Sequence, residues 1–136
     1  MNPRTVVALA RFSLVVAVAL ILFVATTDRR IAFIDDIWDK SKHAGAFFVL
    51  ALLVDVSHPT GRFGLAKIAI LLGFGVLIEA IQHFLPHREA SLLDLVADGA
   101  GIALFACCIP LLARFPVLNA ARGSVVSTVV PGASPP

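Results

Sequence analysis

Three short runs of the sequence hold residues able to do acid–base, metal-binding or headgroup-binding chemistry. Asp39 and His43 stand four apart, so on a helix they share a face. A carboxylate beside an imidazole is the arrangement of a general base or of an oriented metal ligand. The structural alternative is an interfacial polar turn in which Asp39 pairs with Lys40 or Lys42. Glu79, Gln82 and His83 occupy positions i, i+3 and i+4, again one helix face. The segment 68–78 before Glu79 is wholly apolar or glycine. An ionised carboxylate at such a depth in a membrane costs at least about 2.5 kcal/mol. Glu79 is therefore expected to be paired, protonated or facing water, with Arg88 and Lys40 as candidate partners. Its alternative role is a buried salt bridge between helices.

The third run opens with Ser91 and continues through Asp94 to Asp98. Ser-x-x-Asp at a helix start is a capping-box pattern, which by itself accounts for Asp94. Asp98 lies one turn deeper, beyond the reach of a cap and beside Gly99 and Gly101. Small residues let helices approach closely, so Asp98 is expected to point into a helix bundle. Two carboxylates near an imidazole and a third carboxylate could hold a divalent cation or share a proton. There is no His-x-x-x-His, cysteine-rich or glycine-rich phosphate motif, so no cofactor and no metal is assigned. Cys107 and Cys108 are adjacent in an apolar run and read as small buried or lipid-facing side chains. Gly73 and Gly75 read as packing positions. Asp55 is expected to be solvated at the opposite face.

The elements that must position these groups follow from composition. The chain has 136 residues, 59% hydrophobic and 15% charged, with a net charge of +2 and a mean hydropathy of +0.94. That composition leaves too little polar surface for a soluble domain of this size, and its apolar residues fall in long blocks. No dense basic run exists, which argues against nucleic acid as a partner. Spans are expected at about 6–25, 37–57, 65–85 and 92–112. The second apolar block, 44–56, is too short to cross a bilayer of about 30 Å unless the helix extends upstream through Ile37 and Trp38. That extension builds Asp39, Lys40 and His43 into its first turns. Arg11 and Lys67, near the starts of their spans, are expected to snorkel to the headgroups. A signal peptide is the rival for the first block, but 24–28 offers no good small-x-small cleavage site. The expected fold is all-α, an integral membrane bundle of four transmembrane helices with short loops over 1–118, followed by a disordered tail over 119–136.

Alternating spans bring the start of helix 2, the end of helix 3 and the start of helix 4 to one membrane face. Asp39, Lys40, His43, Glu79, Gln82, Arg88, Asp94 and Asp98 are thus expected to form one polar cluster. Arg4, Arg11, Arg62, Lys67, Arg114 and Arg122 fall on one side, against Arg29, Arg30, Lys40, Lys42 and Arg88 on the other, so charge counting barely separates them. A short basic N-terminus favours both termini in the cytoplasm.

The ordered motifs resemble the VanZ-like family of small bacterial membrane proteins. Its pattern runs Asp-Lys-x-x-His, Glu-x-x-Gln, then Arg-x-x-Ser-x-x-Asp with an Asn four residues on and a glycine after it. Asp39-Lys40-Ser41-Lys42-His43, Glu79-Ala80-Ile81-Gln82, Arg88 to Asp94 and Gly101 match in order. The chain departs at Asp98, where the family usually has Asn, and near Phe105, where a second glycine is missing. The resemblance implies a multi-pass protein of the inner (plasma) membrane connected with the cell envelope. Of the functions open to such a chain, the favoured one is non-enzymatic. It binds a lipid-linked or glycan-type envelope component, or a partner protein, through the polar cluster, with membrane lipids around it. An embedded hydrolase or transferase acting on a polyprenyl or phospholipid headgroup is the alternative, with His43, Glu79 and Asp94 as its catalytic candidates. An ion-coupled carrier comes third, because four helices leave little room for one without a homo-oligomer.

Overall fold

The computed structural model describes residues 2–27, 36–59, 62–86 and 91–123, with the side chains of 36–39, 117, 118, 122 and 123 outside that description. Five helices follow in order: α1 (Pro3–Thr26), α2 (Asp36–Ser57), α3 (Leu65–His83), α4 (Leu92–Leu112) and α5 (Pro116–Gly123). No strand occurs among the described residues. At 1.5 Å per residue α1, α3 and α4 rise about 36, 28 and 32 Å, close to the thickness of a hydrocarbon core. These three are long and apolar enough to cross a membrane, which marks the chain as an integral membrane protein. α2 has 22 residues and does begin upstream of its apolar block, as its length required. It also carries Asp36, Asp39, Lys40, Lys42 and Asp55, and it does not count among the three.

Local chemistry sets the ends of the helices. The Asn2 side chain accepts from the Arg4 amide at 3.0 Å, and Pro3 sits where its missing N–H is no loss. At the far end the Thr26 and Thr27 hydroxyls donate to the Leu22 and Phe23 carbonyls at 2.8 and 2.6 Å, bonding back onto the last turn, whose Phe23 carbonyl also accepts from the Thr27 amide. Ser91 caps α4, its Oγ accepting from the Leu93 amide at 3.3 Å.

α2 is the hub, packed most extensively on α4 and then on α1. Phe47, Leu50, Ala51, Leu71, Ile78, Ile102 and Phe105 form the buried centre. Phe63 and Phe48 meet Phe105 edge-on, with centroids 4.9 and 5.9 Å away. Outside, Phe12, Leu20, Phe23, Ile70, Leu92 and Val96 are mostly exposed. Water does not tolerate so much contiguous apolar surface on a small chain, whereas lipid does. Helices α2 and α4 meet backbone against backbone at Gly101. A Cβ there would lie 2.9 Å from the carbonyl carbon of Ala44 and nearer still to its oxygen.

The end of the bundle opposite the expected cluster is polar as well, which corrects two readings. Asp55 is buried and not solvated, at 2% exposure. Lys67 does not snorkel; its Nζ donates to Asp55 Oδ1 at 2.7 Å. The two sit on neighbouring helices, so neutralising each other inside the bundle removes two isolated charges from lipid. Arg11 donates through Nε to the Ser57 carbonyl at 3.1 Å, serving an acceptor at the C-terminus of α2. The start assigned to the tail is also corrected: residues 119–123 complete α5, and Ala121 is buried with Val6, Ala10 and Val56. The rest of that segment, 124–136, lies outside the described residues. Gly73 is exposed with open space around it and is not a packing position, whereas Gly75 is one.

Candidate functional site

The close approach of α2 and α4 builds the site. Seating the Ala44 backbone on Gly101 brings the neighbouring His43 against Asp98, three residues before Gly101 on α4. His43 Nδ1 lies 2.9 Å from Asp98 Oδ1. A carboxylate accepts, so Nδ1 carries the proton. Asp98 has a side chain 1% exposed, and its second oxygen, Oδ2, is buried with no hydrogen-bond partner among the described residues. That oxygen rests against α3, where only a glycine fits: a Cβ on Gly75 would stand 2.7 Å from it.

The other ring nitrogen, His43 Nε2, faces Asp94 Oδ2 at 3.9 Å. Glu79 approaches from α3. Its Oε2 accepts from the Ser91 amide at 2.7 Å, and its Oε1 is buried with no hydrogen-bond partner among the described residues. Donor atoms of His43, Glu79 and Asp94 all lie within 4.8 Å of one another. Three helices thus converge on one point, each supplying a side chain.

Several expectations meet this geometry differently. Convergence of His43, Glu79, Asp94 and Asp98 is what the alternating spans require. The capping-box account of Asp94 is corrected. Ser91 does cap the helix, but the amide that Asp94 would reach back to is donated to Glu79 of another helix. Asp94 is instead 7% exposed and turned towards His43. The carboxylate that orients His43 is Asp98, 55 residues away; the side chain of Asp39 lies outside the described residues. Gln82 is buried one turn beyond Glu79, Lys40 is half-buried and His83 is exposed, its ring edge-on to Phe84. Arg88, proposed as a partner for Glu79, lies outside the described residues, and the Ser91 amide holds that carboxylate. Sequence reasoning missed Gly75 as the floor under Asp98 and Ser91 as the donor to Glu79. The only available signal for either was the clustering of small residues.

Beside the cluster a groove of about 330 Å³ opens between α3 and α4. Val76, Ala80, Leu92 and Leu95 supply its apolar wall, and Glu79, His83 and Ser91 its polar margin. Glu79 belongs to both groove and cluster, joining an acyl-compatible surface to a set of hydrogen-bond acceptors. Comparison with known proteins gives no match: no family model, no curated protein and no solved structure is significantly similar to the chain.

Proposed function

We propose that the chain is a VanZ-like protein of the bacterial inner membrane, in which α2 spans alongside α1, α3 and α4, both termini are cytoplasmic, and the polar end binds the head of a lipid-linked envelope component. The carrying observation is an almost wholly apolar groove along Val76, Ala80, Leu92 and Leu95 that runs up to Glu79 of the polar cluster. A lipid-linked sugar has that same division between chain and head. Carboxylates accept hydrogen bonds from hydroxyls, which suits a glycan head. Lys40 and Lys42 on the first turns of α2 supply cationic groups for a linking phosphate. The ordered Asp-Lys-x-x-His, Glu-x-x-Gln and Ser-x-x-Asp motifs support the family reading. Burial of the His43–Asp98 contact supports α2 as a span, since it gives the polar turn a partner inside the bundle.

Occluding the groove tests this. Ala80 is exposed on its wall, so Ala80→Phe fills the groove without touching the core. With the protein in nanodiscs, a polyprenyl-phosphate-linked sugar is expected to bind saturably, and Ala80→Phe to weaken it by about tenfold or more, equivalent to about 1.4 kcal/mol. Equal binding by the wild type and Ala80→Phe, or equal binding of phosphatidylglycerol, would sink the proposal.

A further inference from the structure

The geometry points to a binding site for a divalent first-row transition-metal ion, of the zinc type, held by His43, Glu79 and Asp94 with Asp98 orienting the imidazole. This goes beyond headgroup binding and does not need a lipid in the groove.

Four features converge on it. Asp98 Oδ1 accepts from His43 Nδ1 at 2.9 Å, which fixes the tautomer and places the ring's lone pair on Nε2. A carboxylate behind the far nitrogen of a ligating histidine is the usual way that such ligands are held and made more basic. Nε2 then faces Asp94 Oδ2 at 3.9 Å. Bonds of 2.0–2.2 Å in a tetrahedral site set donor atoms about 3.3–3.6 Å apart, so the pair needs to close by only a few tenths of an ångström. Glu79 completes the set: one of its carboxylate oxygens lies within 4.8 Å of the other donors, Oε1 being buried with no hydrogen-bond partner among the described residues and Oε2 anchored by the Ser91 amide. One carboxylate oxygen is thus held in place and the other is left to accept a cation.

A proton on the imidazole is the competing explanation. An imidazolium between Asp94 and Asp98 would offset only one of those two charges, and it would leave Glu79 Oε1 as it is. A dication matches the two carboxylates of the donor set, Glu79 and Asp94, while the neutral imidazole adds a third ligand. Imidazole among the ligands favours zinc-type ions over magnesium and calcium, which prefer oxygen alone. Three protein donors leave a fourth position open, as in zinc sites that bind an exogenous ligand.

The test uses full-length protein without a histidine tag, stripped with chelator and held in lipid-free detergent micelles, so that headgroup binding plays no part. Zinc is titrated against a chromogenic chelator, and cobalt is substituted to read its visible d–d bands. One zinc per chain is expected, with tetrahedral-type cobalt bands. Glu79→Gln, which keeps the size and the acceptor to Ser91, and His43→Ala should each lose more than about 100-fold in affinity. Asp98→Asn keeps an acceptor but loses the charge, and should weaken binding by about 10–100-fold, the range for a second-sphere partner. His58→Ala, at the opposite end of the bundle, should leave binding unchanged. Size-exclusion profiles and helical circular dichroism matching the wild type show that the variants fold, and the isosteric Glu79→Gln decides the matter if His43→Ala does not. Stoichiometry well below one, wild-type affinity in Glu79→Gln, or displacement of zinc by equimolar magnesium or calcium would overturn the proposal.

Discussion

Replacing Gly101 by leucine is expected to abolish the folded bundle or to cost it well over about 3 kcal/mol. Ordinary overpacking costs about 1–3 kcal/mol because side chains can shift. Here the obstacle is backbone: the carbonyl of Ala44 occupies the place where a Cβ would go. Moving it means separating α2 from α4, the most extensive helix contact in the molecule, and drawing His43 away from Asp98. Thermal unfolding in detergent, followed by circular dichroism, should show the loss, and zinc affinity should fall with it. Gly73→Leu is the matched control. A Cβ at Gly73 meets nothing within 4 Å, and removing a helical glycine gains up to about 1 kcal/mol in propensity. A Gly101 variant as stable as the Gly73 variant would mean that the two helices do not touch there.

The second large effect concerns the opposite end of the bundle. Asp55→Leu or Lys67→Met alone should cost about 3–5 kcal/mol, because each removes one partner of a buried, hydrogen-bonded ion pair. Their side chains are 3% and 9% exposed, so solvent screens the pair little. The double variant should recover most of the loss, since two apolar side chains of similar volume replace a pair whose desolvation already offsets much of its attraction. A double-mutant cycle read from SDS-induced unfolding measures this directly. Additive losses in the double variant would show that Asp55 and Lys67 act independently.

The sequence disclosed the helices well and the pairings poorly, for a physical reason. Helix extents depend on runs of apolar residues and local caps, both contiguous in sequence. Hence 92–112 coincides with α4, and the length of the second apolar block alone required α2 to begin near Ile37. The cluster's membership followed from alternation of the spans. Which atom meets which depends instead on helix rotation, and rotation is set by packing. Asp55 and Lys67 lie twelve residues apart across a turn, and nothing local says that they face each other. His43 had a carboxylate four residues before it, yet it is oriented by one from α4. Asp94 fitted a local capping pattern, yet Ser91 gives that amide to Glu79. Each of these contacts joins two helices, and only Asp94 shows one displacing a contact expected within its own helix.

Timing follows from the His43–Asp98 contact. The two partners are 55 residues apart, and a ribosome adds about 5–20 residues per second. For about 3–11 s of each synthesis, His43 therefore exists while Asp98 does not. During that interval His43 lacks the carboxylate that orients it in the folded bundle. Arrival of α4 ends the wait, so the last long helix made is the one that locks the second into place.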